Sequence, residues 1–325
     1  MSLGKYMKVS GGPKPDEAPF FGLELEVESP SRIADELVKR YKELRYVKDK
    51  LGFLPVSVWI PTKRGPYRDL VQEYAKYYHE LKLIPTKRHG TSPFDAPVEA
   101  KNVYDRILPV SLRNPLVDEW VFKIWGGRGY TIYNCFLGHT VEYIVFGGLG
   151  AKKYIGGTVN RTILMINEDF YRKHKHLLPQ DYEVVFLEED ATEMRDIQDN
   201  SIDLIWASPP YWKAERLKSD HPHELANAVT YDEFLEMYSK CFKQMYRVMK
   251  PDRFVVLQVA DMRFEDVFYP LHVDTIELAQ EAGLSLHDIV IMYNFSYWAN
   301  LNVGRAETKR YTSKVHEYLL VFRRP

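Results

Sequence analysis

The sequence predicts an α/β protein built on a doubly wound, mostly parallel seven-stranded sheet with an N-terminal extension. Three observations carry this. In the second half of the chain, short β-rich apolar runs alternate with longer helical patterns, as βαβ units require. The apolar runs are nearly continuous, as expected of strands covered on both faces. The last two runs are joined by a loop without a helix, so the sheet ends in a hairpin with one antiparallel strand.

The elements follow in order. Residues 1–19 are rich in Gly, Pro and Lys and read as a flexible lead-in. Residues 20–110 are mixed, with a short alternating run (Phe21, Leu23, Leu25, Val27), a charged helical stretch from Ser31 to Lys50 and then Pro-punctuated pieces. Residues 111–325 form the α/β domain. Strands are expected at Tyr130–Phe136, Lys153–Val159, Glu183–Leu187, Ile202–Ala207, Arg253–Val259, Asp288–Tyr293 and Glu317–Phe322. Helices are expected at His139–Leu149, Arg161–Lys175, Tyr231–Met249 and Val273–Ala282, the third stopped by Lys250-Pro251.

Composition narrows the function classes. The 325 residues are 45% hydrophobic and 27% charged, which fits a globular chain and not a disordered one. Two cysteines, Cys135 and Cys241, supply neither a disulfide framework nor a four-thiolate zinc site, and they point to a reducing, cytoplasmic setting. No signal-type apolar core opens the chain, and no long uncharged apolar run suits a membrane span. With 44 basic and 45 acidic residues there is no global basic field, so any nucleic-acid contact must come from local patches.

The strongest local signal is Asp203-Leu-Ile-Trp-Ala-Ser-Pro-Pro-Tyr-Trp212, an apolar strand running into Ser208-Pro209-Pro210-Tyr211. Ligands bind at the carboxyl ends of strands in an open α/β sheet. Two prolines fix the backbone and remove two N–H donors, leaving carbonyls as rigid acceptors. The Ser208 hydroxyl and the Pro209 carbonyl can accept both hydrogens of an exocyclic amine, and Tyr211 offers a face on which a base can stack.

These residues resemble the signature D/N/S-P-P-Y/F/W of the amino-group DNA methyltransferases, which modify adenine at N(6) or cytosine at N(4) with S-adenosylmethionine. The approach IQDNSIDLIW, the run YDEFLEMYSKCFKQMYRVMKPDRFVVLQVAD and the terminal KVHEYLLVFRRP also resemble that family in order, over roughly residues 112–325. The resemblance implies a class I, Rossmann-like methyltransferase fold. It implies an S-adenosylmethionine cofactor, a DNA substrate handled by base flipping and in-line transfer, and a prokaryotic or phage source, with a restriction partner among the biological settings. The serine form of the motif is associated more with cytosine. RNA remains open as a substrate, as does a non-catalytic relative acting as a DNA-binding or partner subunit, and so does a pocket repurposed for a different donor.

The cofactor motifs depart from the family pattern. Asn134-Cys135-Phe136-Leu137-Gly138-His139-Thr140 aligns with D-P-F-x-G-x-G, so Phe136 and Gly138 are kept while Asn134 replaces the acid and Thr140 the second glycine. Thr158 stands where the family's second-strand acid meets the ribose hydroxyls, and Asp190 matches the acid near the adenine. The resemblance therefore implies a cofactor site of Asn134, Phe136, Gly138, Thr158 and Asp190, of modified geometry or lost.

Among lesser candidates, Trp212, Arg305, Lys309, Arg310 and Lys314 are expected near nucleic acid, the basic residues against phosphates. The basic stretches Lys39–Lys50, Lys63-Arg64 and Lys82–His89 read as solvated faces, and residues 20–110 are left for sequence recognition by exclusion. His221, His223 and Glu224 have the chemistry of metal ligands, but the reaction needs no metal and a polar loop over the pocket explains them better. Phe21–Glu28 faintly resembles the opening strand of amidoligases, and an edge strand with Glu24, Glu26 and Glu28 on its wet face accounts for it.

Overall fold

The computed structural model describes residues 57–59, 67–80, 113–212, 221–293 and 310–325, apart from Ser313 and Val315. The lead-in at 1–19, the Phe21–Glu28 run and the basic stretches at Lys39–Lys50, Lys63-Arg64 and Lys82–His89 lie outside these residues.

The elements are β1 (Val58–Trp59), α1 (Arg68–Glu80), α2 (Pro115–Trp125), β2 (Thr131–Asn134), α3 (Glu142–Leu149), β3 (Lys153–Thr158), α4 (Arg161–His174), β4 (Glu183–Glu188) and β5 (Ile202–Ala207). They continue with α5 (Tyr231–Val248), β6 (Met249–Val259), β7 (Met262–Phe264), β8 (Val267–Tyr269), α6 (Leu271–Glu281), β9 (Ser285–Tyr293) and β10 (His316–Arg323). The main sheet has the order β1-β9-β10-β6-β5-β2-β3-β4. All seven expected strands are present, and a two-residue edge strand, β1, is added where Val58 pairs with Ile291 in parallel. Only β10 runs antiparallel, against both β6 and β9. This is a doubly wound, Rossmann-like arrangement. Its order reverses at β2, which lies between β3 and β5, so a crevice opens beyond the carboxyl ends of β2 and β5.

The sequence explains the layers. In β5 all six residues Ile-Asp-Leu-Ile-Trp-Ala are buried, as a central strand covered on both faces must be. On one face lies α5, whose Phe234, Met237, Tyr238, Cys241, Phe242, Met245 and Val248 recur at helical spacing and are all buried. Thr230 caps it by accepting from the Glu233 N–H at 3.1 Å. On the other face α2 and α3 bring Trp120, Val121, Phe122 and Phe146 to the sheet. Helix α2 starts on Asn114, whose side chain accepts from the Leu116 N–H, with Pro115 in its first turn.

Several boundaries differ from expectation, the largest shift falling at the start of β6. Helix α5 stops at Val248, and the strand begins at Met249, ahead of the Lys250-Pro251 stop. Pro251 is tolerated because the ladder with β5 shifts register there, from Ile202↔Met249 to Leu204↔Phe254, and a bulged residue needs no ladder N–H. The hairpin β7–β8 follows β6 and was not expected. Its turn residues Glu265 and Asp266 both adopt positive φ, 48° and 67°, without the glycine that normally signals such a turn.

Candidate functional site

At the end of β5 the chain leaves the sheet through Ser208-Pro209-Pro210-Tyr211. Trp206, two residues earlier, is fully buried and fixed from α2: its indole N–H donates to Asp118 Oδ1 at 2.8 Å, and the Arg113 guanidinium lies 4.4 Å from its ring centre. The Ser208 hydroxyl donates to the Gln258 carbonyl on β6 at 3.0 Å. That bond uses the hydroxyl hydrogen, so the oxygen lone pairs are what Ser208 can present to a ligand, and an acceptor is what an amine N–H requires. Pro209 and Pro210 are buried, and Tyr211 and Trp212 are 6% and 5% exposed. Trp212 donates its N–H to the Ala228 carbonyl at 3.0 Å and packs among Tyr231, Phe264 and Tyr269. The structure thus makes Trp212 a support that holds the turn, its polar tip already bonded within the protein.

At the end of β2 a buried polar lattice holds the loop that leads into α3. Glu142 Oε1 accepts from Asn134 Nδ2 at 2.6 Å and from the Tyr154 hydroxyl at 2.6 Å, while its other oxygen lies 3.1 Å from the Arg113 guanidinium. Asn134 Oδ1 accepts from the Phe136 N–H at 3.0 Å. Asn134 therefore points inward and shapes the loop. Thr140 likewise turns to the start of α3, its hydroxyl accepting from the Glu142 N–H. Asp118 lies in the same lattice, and its carboxyl is pushed up to about 7, first by burial and then by Glu142, against the pull of Arg113 and Trp206.

The loop leaves one open place. A Cβ added at Gly138 would meet nothing within 4 Å, whereas Gly156 and Gly157 on β3 are closely faced by Leu137 and by the Tyr133 hydroxyl. Phe136 is half-buried beside Tyr238. Thr158 ends β3 with its hydroxyl accepting from the Asn160 N–H at 3.1 Å, which turns the chain into α4. After β4, Glu189 accepts from the Arg195 and Asp196 N–H groups and steadies the following loop. Asp190 Oδ1 accepts from the Thr192 N–H and hydroxyl, and Oδ2 lies 2.5 Å from His223 Nδ1. Burial works to raise the Asp190 carboxyl, but the His223 and Thr192 hydrogen bonds outweigh it and hold the group below its ordinary range.

The described segment from His221 therefore reaches back to the end of β4. Its ligand-type residues have separate partners, in keeping with the polar loop expected from the sequence: Glu224 is buried and caps the Ala226 N–H, and His223 reaches to Asp190. Asp190, Glu193 and His223 bring three ligand atoms within 4.8 Å of one another. The short Asp190–His223 hydrogen bond accounts for that grouping.

Of the residues expected near nucleic acid, Arg305 and Lys309 lie outside the described residues. Arg310 is exposed, and the Lys314 ammonium lies 4.8 Å from the Phe268 ring centre on the β7–β8 hairpin. Arg263, from β7, lies over both Phe268 and Tyr311. Sequence reading missed this hairpin, and it missed Arg113, Glu142 and Asp118. Their only local signal was the Asn114-Pro115 helix start, because Arg113 and Asp118 meet Glu142 and Trp206 only across the fold.

Comparison with known proteins bears on these residues directly. Residues 202–325 match the N6_N4_Mtase family model, described as DNA methylase. Over these residues the chain is similar to the amino-group DNA methyltransferases. A type II methyltransferase, M.MthZI, of Methanothermobacter thermautotrophicus is 25% identical over 154 residues, covering 42% of this chain. The chain spans less than half of that relative, 43% of its length. Among solved structures, a candidate DNA modification methylase of Thermus thermophilus complexed with S-adenosyl-L-methionine is 24% identical. It covers 42% of this chain and 53% of its own, with a TM-score of 0.32. TrmN from Thermus thermophilus is 14% identical, covers 66% of this chain and 49% of its own, and has a TM-score of 0.43. The family match begins at Ile202 and takes in β5, the Ser208–Tyr211 turn, α5, β6 and the terminal β9–β10 pair. The β2–α3 loop and Asp190 precede it. Among the described residues, no helix is long and apolar enough to cross a membrane.

Proposed function

We propose that this chain is an S-adenosylmethionine-dependent methyltransferase acting on the exocyclic amine of cytosine or adenine in DNA. The observation that carries the reading is the Ser208–Gln258 hydrogen bond at the carboxyl end of β5. It commits Ser208 to the acceptor role beside the Pro209 carbonyl, so a base flipped from the duplex finds two acceptors for its amine hydrogens and Tyr211 for its ring. The serine form of the turn favours cytosine, and the family match supports DNA as the substrate.

The residues at the ends of β2 to β4 fit a cofactor of this kind. The open space at Gly138 lets backbone approach a ligand closely, and Asp190 supplies a carboxylate beyond β4. Phe136 and Gly138 would flank the amino-acid end, Thr158 the ribose and Asp190 the adenine. Bound there, S-adenosylmethionine supplies an electrophilic methyl group on a sulfonium. The chain itself contributes orientation: Ser208 and Pro209 align the amine, and hydrogen bonding to its hydrogens weakens its conjugation with the ring. Arg263, Lys314 and the half-exposed Phe268 on the β7–β8 hairpin suit a phosphate backbone and an unstacked base.

A second reading is favoured by one observation. His223 already occupies Asp190, and the Asn134 side chain is committed inward, so a relative that binds DNA without using the cofactor has the same architecture. Calorimetric titration with S-adenosylmethionine and its demethylated product separates the two. Micromolar affinity followed by methyl transfer to duplex DNA, with single-stranded RNA as competitor at matched salt, is the expected result. No binding at millimolar ligand overturns the enzymatic reading and leaves the binder.

A further inference from the structure

Asp261 and His272 form a hydrogen-bonded dyad at the end of β6. Asp261 follows that strand with its side chain 2% exposed, and its Oδ1 lies 2.6 Å from His272 Nδ1. A buried carboxylate partner requires Nδ1 to carry the hydrogen and donate it. His272 Nε2 carries no hydrogen bond among the described residues. The ring is held face to face with Tyr318, with centroids 4.3 Å apart and planes 14° from parallel. The Tyr318 hydroxyl contacts Asp261 Oδ2 at 3.5 Å and His316 Nε2 at 3.0 Å. Anchoring of α6 accounts for part of this, because Pro270 offers no capping oxygen and Asp261 accepts from the His272 N–H at 3.3 Å. Capping explains the aspartate. It does not explain an imidazole stacked and oriented with one nitrogen unused.

Position gives that nitrogen a task. Ser208 leaves β5 and bonds to the Gln258 carbonyl, and Asp261 leaves β6 three residues after Gln258, so both stand at the same edge of the sheet. Three extended residues span about 10 Å. Methylation of an exocyclic amine forms a nitrogen–carbon bond from the nitrogen lone pair while the sulfur–carbon bond breaks and its electron pair stays on sulfur. The nitrogen must then lose a proton. Neither a neutral serine hydroxyl nor an amide carbonyl is basic enough to carry that proton away, and the serine form of the turn lacks the carboxylate that the aspartate form would offer.

We infer that the Asp261–His272 dyad is the proton acceptor for the amine, with His272 Nε2 taking the proton directly or through one water and Asp261 stabilising the imidazolium. The inference rests on the methyltransferase reading. The protonated ring then exchanges with solvent, which it can reach because a quarter of its side chain is exposed.

The test uses the whole chain and single-turnover transfer of methyl from S-adenosylmethionine to a duplex substrate. His272→Asn keeps a donor for Asp261 and the backbone cap, and it should lower the single-turnover rate by about 100-fold with little change in DNA affinity. Added imidazole should restore much of that rate to His272→Ala and none to a His287→Asn control, whose ring is exposed near the start of β9. Nitrogen NMR of the free protein should show neutral His272 as the Nδ1–H tautomer, a readout that needs no turnover. A His272→Asn rate within twofold of the parent, a loss that imidazole leaves unrepaired in a folded variant, or the Nε2–H tautomer overturns the dyad alone. A parent protein that binds S-adenosylmethionine but transfers no methyl group to DNA or RNA overturns the methyltransferase reading with it.

Discussion

Replacing Asp118 by asparagine tests the buried lattice that ties α2 to β5. The Asp118 carboxyl is pushed from 3.8 to about 7, mainly by burial and next by Glu142. The folded state therefore holds a proton between about pH 4 and about pH 7 that the unfolded chain releases. By linkage, stability contributed by this group is fully present below the unfolded value and is lost as pH rises through the folded one, after which it stays level. About three pKa units correspond to an order of 4 kcal/mol. The Asp118→Asn variant keeps an acceptor for the Trp206 N–H, which lies 2.8 Å from Oδ1 in the parent, and cannot ionise there. Urea unfolding of both proteins at roughly half-unit steps from about pH 4 to about pH 8 gives the measurement. The parent should lose stability relative to Asp118→Asn across that window by up to roughly 4 kcal/mol, and the gap should be constant above about pH 7.5. Glu189 and Glu224, both raised by burial, add slope in the same direction but do so in both proteins and cancel in the difference. Parallel profiles for parent and variant would show that Asp118 is ionised in the fold at neutral pH, and the account of the lattice would fail.

Three further expectations follow from the same geometry. Ser208→Ala removes an acceptor for the amine and the hydroxyl bond to the Gln258 carbonyl; kcat/KM should fall by about 10- to 100-fold, and unchanged turnover would remove Ser208 from the mechanism. Glu142→Gln strips the buried Arg113 guanidinium of its ionic partner and should cost roughly 3–5 kcal/mol, read as a fall in urea midpoint. Together, Arg263→Ala and Lys314→Ala should lower the slope of log affinity for duplex DNA against log salt by about two, and an unaltered slope would take the β7–β8 hairpin off the DNA-binding face.

Much of the sheet was legible because its evidence is local. Six buried residues in β5 and the helical spacing of Phe234 to Val248 announce themselves within one window. The seven strands were placed correctly for that reason. What escaped was information held in pairs. Val58 is a strand residue only because Ile291 accepts it at the edge of β9, and nothing in two residues signals that. The β7–β8 hairpin turns on Glu265 and Asp266, whose positive φ values are sustained by the hairpin's own pairing and by Arg263 bonding to the Asp266 carbonyl. A turn without Gly or Asn carries no sequence mark of its geometry.

The ends of β2 to β4, the proposed cofactor site, show the same limit. Read along the chain, Asn134, Thr140 and Thr158 are departures from a motif, and the natural inference is a weakened or abandoned pocket. In the fold each has a definite partner: Asn134 bridges Glu142 and the Phe136 N–H, Thr140 caps α3, and Thr158 turns β3 toward α4. These bonds fix the backbone around Gly138 from within, leaving the open space to be shaped by main chain and by Phe136. Such a loop has no carboxylate at these motif positions of β2 and β3 to offer a ligand. Asp190 is then the one acid of the three motif positions left to bind it, and it is held by His223 from the loop that follows the Ser208–Tyr211 turn. If a cofactor binds there as proposed, its hydrogen bond to Asp190 must compete with the His223 imidazole. Affinity for S-adenosylmethionine should thus rise in His223→Asn, where the competing imidazole is gone. A fall in affinity would instead make His223 part of the pocket wall and Asp190 a structural acid.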